Sequence, residues 1–171
     1  MPNGARSRRY VGVAGLVLVV DLVTKLAVEA SFARGRVLPL MGDTLQFRLV
    51  YNPGAAFGLH LGPWSRWIFL VIAVVALVIL TRMAWSSAPG DRLRQVALGM
   101  VAGGAAGNLV DRIRSTSGVV DFIDVGVGTL RWPTFNVADI GVSLGAIALA
   151  LSLWAEDARA RRHSAEPGSS P

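Results

Sequence analysis

Residues 67–80 read Trp67-Ile68-Phe69-Leu70-Val71-Ile72-Ala73-Val74-Val75-Ala76-Leu77-Val78-Ile79-Leu80. No charge, glycine or proline interrupts them. The apolar stretch runs from near Trp64 to near Trp85, about the 20 residues a helix needs to cross a bilayer. Trp64, Trp67 and Trp85 stand at its ends, as aromatic residues do at the two membrane–water interfaces. A helix of this kind places the chain among integral membrane proteins.

Three further segments extend the pattern: from near Tyr10 to near Ala30, from near Leu93 to near Val110, and from near Val137 to near Ala155. The third is short and rich in Gly and Ala, which suits close packing of helices in a membrane. The expected fold is an all-α membrane protein of four transmembrane helices. The composition agrees. Of 171 residues, 53% are hydrophobic and only 16% charged, against roughly 25% charged in a soluble domain. Residues 1–158 are expected to form one membrane domain, and 159–171 a disordered basic cytoplasmic tail.

The net charge of +6 is concentrated in the tails, at Arg6, Arg8 and Arg9 and at Arg159, Arg161 and Arg162. Basic flanks beside apolar helices set membrane orientation, so nucleic acid is not an expected partner. Both tails and the link bearing Arg82, Arg92 and Arg94 are expected on the cytoplasmic side. Arg34, Arg36, Arg48 and Arg66 on the opposite loops make the bias modest. The first segment has the basic start and small residues of a cleaved signal peptide, but Asp21 and Lys25 interrupt its apolar run; it reads as a retained helix.

There is no cysteine, which excludes disulfides, thiolate metal sites and a cysteine nucleophile. The two histidines, His60 and His163, do not make a multi-histidine metal site. No metal or cofactor is expected.

The loop at about 31–63 is the largest extramembrane part. Leu45-Gln46-Phe47-Arg48-Leu49-Val50-Tyr51 alternates in the manner of a strand, with Leu45, Phe47, Leu49 and Tyr51 on one face. A small extramembrane β-sheet between helices 1 and 2 is expected. Asn52-Pro53-Gly54 follows and suits a type II turn with Gly54 at positive φ.

Polar residues beside the apolar helices are the functional candidates, because ionisable groups at membrane depth are expensive. Asp21 and Lys25 are four apart on one helix face and suit an ion pair. Asn108, Asp111 and Arg112 share a face at the end of the Gly-rich third helix, in Gly103-Gly104-Ala105-Ala106-Gly107-Asn108-Leu109-Val110-Asp111-Arg112. They are either a solvated helix end or a substrate-holding cluster. A phosphate loop is excluded, since no Gly-Lys-Ser/Thr follows. Asn136 and Asp139 have the spacing of a helix cap, which explains both without chemistry. Asp121 and Asp124 are two acids, and spacing does not choose between them. In a four-span topology all these clusters fall at one membrane face, which points to a single polar site. A transporter also needs charges inside a bundle, but it would show internal repeats and interrupted helices, and neither is visible here.

From about Asp21 to the end of the fourth helix, the chain resembles the bacterial lipoprotein signal peptidases (signal peptidase II). Five elements occur in family order: Asp21-Leu22-Val23-Thr24-Lys25, Asn52-Pro53-Gly54-Ala55-Ala56-Phe57-Gly58, Gly104 to Arg112, Val120-Asp121-Phe122-Ile123, and Phe135-Asn136-Val137-Ala138-Asp139. The resemblance implies an aspartic peptidase of the inner membrane that removes signal peptides from diacylglyceryl-modified prolipoproteins, just before the lipidated cysteine. It implies Asp121 and Asp139 as the catalytic pair, which selects Asp121 over Asp124. Asp21, Lys25, Asn52, Gly54, Asn108, Arg112 and Asn136 match positions that shape the site or contact substrate. It further implies a β-cradle, sensitivity to the cyclic peptide globomycin, and lipid-modified prolipoproteins as substrates. Membrane lipids are the other expected partner, and the expected state is a monomer. The segment between Arg112 and Asp121 is expected to be a loop.

Overall fold

The computed structural model describes residues 3–54, 59–88 and 90–165. Four long helices, α1 (Asn3–Ser31), α2 (Ser65–Ser86), α3 (Arg92–Arg114) and α4 (Val137–Ala165), carry strands β1 (Val37–Met41), β2 (Leu45–Asn52), β3 (Val119–Val127) and β4 (Leu130–Arg131). α4 continues to Ala165, into the stretch expected as a tail; residues 166–171 lie outside the described residues.

Three of the helices are long and apolar enough to cross a membrane, at Arg8–Ser31, Gly62–Ser86 and Val137–Arg159. Much of their apolar surface is exposed; on α2 this includes Trp67, Val71, Ile72, Val75, Val78 and Ile79. Lipid is the solvent that suits such a face. The expected third span is the helix α3, 23 residues long, and it is not among the three. The reason lies in its position. It packs against α1, α2 and α4, so its buried residues face protein rather than lipid. Apart from Leu98, they are small (Ala97, Gly99, Ala102, Gly103, Gly104, Gly107) or polar (Gln95, Asp111, Arg112).

Gly104 allows a close approach of α3 to α4. A Cβ there would run into the Ala138 carbonyl oxygen and the Val142 side chain. At the other end of the bundle, Tyr10, Leu80, Ala84, Leu98 and Ala102 form an apolar core, and the Tyr10 hydroxyl meets Thr81 Oγ1 at 2.8 Å.

The sheet differs from the expectation of a unit between helices 1 and 2. Only β1 and β2 come from that connection. The other half, β3 and β4, comes from the link between α3 and α4, and the order is β1-β2-β3-β4 with antiparallel pairs. β2 and β3 register with Val50 opposite Asp121 and Gln46 opposite Asp124. The loop expected between Arg112 and Asp121 is therefore brief: α3 runs to Arg114 and β3 begins at Val119. Val28, Leu49, Val120 and Phe122 form a second apolar core that seats the sheet on α1, with Phe47 and Tyr51 packed against it. Phe47 makes edge contacts with Phe32 and Phe122.

Candidate active site

The polar clusters read from the sequence meet at the sheet end of the bundle. Lys25, fully buried, ion-pairs with Asp21 and with Asp111, each at 2.8 Å. Its third bond is donated to Asn108 Oδ1 at 2.9 Å. Asp21 does a second job: its Oδ1 accepts the backbone N–H of Ala138 at 2.8 Å, so α1 holds an orphan donor in the first turn of α4. Asp111 is not solvated. Its carboxylate binds Lys25, the Arg114 guanidinium at 2.8 Å and the Val120 N–H at 3.1 Å. Arg114 continues to Glu29 at 2.8 Å, and Glu29 accepts the Tyr51 hydroxyl at 3.0 Å. Buried charges need this degree of pairing, because an unpaired one is strongly destabilising.

Asn136 and Asp139 form the cap expected of their spacing. Asn136 Oδ1 accepts the Asp139 N–H at 2.9 Å, and Asp139 Oδ2 accepts the Asn136 N–H at 3.2 Å. Capping leaves the rest of both side chains free for other bonds. Asn136 Nδ2 donates to Asp121 Oδ1 at 2.7 Å. Asp139 Oδ1 accepts Asn108 Nδ2 at 2.9 Å. Asn136 thus links the two acids, one through its backbone and one through its amide.

Asp121 Oδ2 accepts Asn52 Nδ2 at 3.1 Å. The turn after Asn52 is not the expected type II: Gly54 is not among the glycines at positive φ. The Asn52 side chain closes it instead, its Oδ1 accepting the Gly54 N–H at 3.0 Å, an Asx-turn. Gly54 is needed for a different reason, since a Cβ would strike the Leu59 carbonyl. Its own carbonyl accepts Arg112 Nη2 at 2.8 Å. Ala55, Ala56, Phe57 and Gly58 of that motif lie outside the described residues.

A cavity of about 400 Å³ opens between these groups; Asp121, Asp139, Asn52, Asn108 and Arg112 line it. Asp124 does not. Its carboxylate is paired with Arg131 at 2.7 Å. The geometry therefore separates two acids that spacing leaves equivalent. Burial pushes the Asp121 carboxyl up to about 7, the charge of Asp139 adds to the rise, and the amide bonds from Asn52 and Asn136 oppose it. Two nearby acids that do not both ionise easily can hold one proton between them.

Asp21 and Lys25 stand one layer behind the cavity, and the other expected residues border it or bond to those that do. Several contributors are not marked in the sequence. Trp132 to Phe135, Val142 and Ser143 also line the cavity; nothing in their spacing marks them. Arg66, read as a loop charge, donates to the carbonyls of Arg112 and Ile113 at 2.6 and 3.1 Å and caps the end of α3.

Residues 13–155 match the family model described as signal peptidase (SPase) II. The lipoprotein signal peptidase of Rhodococcus jostii is 42% identical over 146 residues, covering 80% of this chain and 68% of the relative. That of Paraburkholderia phytofirmans is 38% identical over 144 residues, covering 83% and 82%. A bacterial membrane enzyme solved by the in meso method at 2.3 Å superposes with a TM-score of 0.80 at 26% identity, over 95% of this chain and 94% of the other. A second, at 1.9 Å, gives 0.74 at 30% identity, over 84% and 91%.

Proposed function

This chain belongs to the signal peptidase II family, and from that premise we propose that it is a membrane-embedded aspartic endopeptidase. Its substrates are prolipoproteins already carrying a diacylglyceryl group, and it cuts just before the lipidated cysteine. One observation carries the aspartic reading: Asp121 and Asp139 line a single cavity and are tied together through Asn136.

In this reading the pair carries one proton. The ionised carboxylate takes a proton from water as it attacks the scissile carbonyl, and the protonated one hydrogen-bonds the carbonyl oxygen. Asn52 and Asn108 hold the acids in place. Arg112, braced against the Gly54 carbonyl, lends positive charge where negative charge develops. Val142 and Leu144 on α4 also line the cavity, so the peptide can enter from the bilayer while its acyl chains stay in lipid.

The chain crosses the inner membrane four times, with both termini cytoplasmic and the site at the outer face. The pairing of β2 with β3 supports the fourth crossing. α2 carries the chain away from the sheet, and only a return along α3 brings β3 back beside β2.

The test is direct. Purified protein in detergent, offered a diacylglyceryl-modified precursor peptide, should release the signal peptide and be blocked by globomycin. A precursor left intact by folded protein would overturn the assignment.

A further inference from the structure

Lys25 is fully buried, and each of its three N–H bonds has an acceptor: Asp21 Oδ2, Asp111 Oδ2 and Asn108 Oδ1, at 2.8, 2.8 and 2.9 Å. A lysine ammonium has no acceptor of its own, so the group facing it must be an oxygen. Asn136 Nδ2 faces the same Asn108 oxygen at 3.2 Å. An Asn108 amide turned over would set its NH2 against an ammonium and another amide, and its oxygen against the Asp139 carboxylate. Its two neighbouring donors therefore fix the amide, and its NH2 group is left pointing at Asp139 Oδ1.

We propose that Lys25 is a positioning residue of the acid pair: it locks the Asn108 amide, and through it makes Asp139 the carboxylate and Asp121 the proton carrier. This rests on the peptidase reading above and deepens it.

The surroundings of the two acids agree. Asp139 lies in the first turn of α4, where the helix dipole favours an anion. It accepts the Asn108 amide and the Asn136 N–H. The charged groups that face it are Arg112 from α3, Asp121 from β3 and, behind Asn108, Lys25 from α1 with its partner acids Asp21 and Asp111. Asp121 comes from a strand; among the described residues its carboxylate accepts the side-chain amides of Asn52 and Asn136, and it faces the charges of Asp139, Lys25 and Arg112. Its carboxyl, held up to about 7 by burial first, is the one suited to keep a proton.

The assignment balances. Asp139 takes a water proton as the water oxygen bonds to the carbonyl carbon, and Asp121 gives its proton to the carbonyl oxygen. When the C–N bond breaks, Asp139 passes its proton to the leaving amine and Asp121 recovers one from the diol.

The test uses the whole protein in detergent and infrared carboxyl bands near pH 6, assigned with Asp121→Asn and Asp139→Asn. Wild-type protein should show Asp139 as carboxylate and Asp121 as protonated acid. The double variant Asp21→Asn/Lys25→Met removes one cation and one anion, leaving Asp111 paired with Arg114. In it the Asp139 band should turn toward the protonated form, kcat should fall by about tenfold or more with KM nearly unchanged, and the acid limb of the rate profile should move up by about one pH unit. Asn108→Leu, which keeps both Lys25 ion pairs, should give the same infrared change and carries the test if the double variant does not fold. A protonated Asp139 in wild-type protein, or an unchanged carboxylate in the folded variants, overturns the proposal. Wild-type protein that leaves the precursor intact would instead overturn the peptidase reading itself.

Discussion

Asp111 accepts the backbone N–H of Val120 at 3.1 Å, so the carboxylate of one residue fixes the strand position of its neighbour's neighbour in the site, Asp121. The same carboxylate neutralises Lys25 and Arg114. Asp111→Asn would take one of two acids from each of Lys25 and Arg114, which keep Asp21 and Glu29. The expected cost is about 1.5–3 kcal/mol, that of weakened charged hydrogen bonds, read by thermal or denaturant unfolding in detergent, together with loss of cleavage. A variant as stable as wild type would show that the cluster carries no such weight.

Asp121→Asn and Asp139→Asn should each abolish cleavage while the protein stays folded. Asp124→Asn should keep its rate to within about threefold, a barrier change below 1 kcal/mol. Its effect belongs to stability, where loss of the charged bond to Arg131 costs about 1.5–3 kcal/mol. Near-normal processing by either of the first two variants would remove the acid pair from the mechanism.

The Asp121 carboxyl rises from 3.8 to about 7, through burial first and the charge of Asp139 second. Between these values the folded chain binds a proton that the unfolded chain has released, so folding takes up a proton there. This contribution is fully present below the lower value and is lost as pH rises toward the upper one. Asp121→Asn should flatten the stability profile across that window. Cleavage that needs the proton should decline above about pH 7. Equal slopes in wild type and variant would contradict the assignment.

Gly104→Val should force α3 and α4 apart at the Ala138 carbonyl. Overpacking of this kind costs about 1–3 kcal/mol. Because Asn108 on α3 must reach Asp139 on α4, the rate should suffer more than the fold. Comparing kcat with the unfolding midpoint separates the two, and a stable variant with unimpaired kcat would rule out this coupling.

With no native cysteine, single cysteines can map the topology. An impermeant maleimide should label Arg36→Cys from the outer face, and Ser86→Cys only after the membrane is breached. Labelling of both from one side would exclude the four-crossing arrangement.

Much of this was legible from residue pattern. The helices, the β2 strand, the Asp21–Lys25 pair and the Asn136–Asp139 cap follow from local periodicity and spacing, which depend on near neighbours. β3 is not legible there because Val119 to Val127 is half of a pair whose other half is far away in the chain. The roles of Arg66 and Asp111 are hidden for the same reason: their partners come from other elements. The choice of Asp121 over Asp124 rests, in the sequence, on resemblance. The fold supplies a physical reason, since Arg131 neutralises Asp124 and Asp121 faces the cavity.

The pairing of β2 with β3 also sets a timetable for biogenesis. Asn52 is made 69 residues before the carboxylate it holds, and Asp139 arrives only as the last helix begins. A nascent chain still leaving the ribosome therefore has one acid at most in place, with neither its companion nor the amide that joins them. With the acid pair as the proposed catalyst, such a chain is expected to be inert toward the unfinished proteins around it, as is any fragment cut short before the final helix. Proteolytic competence would then be the last property this molecule acquires.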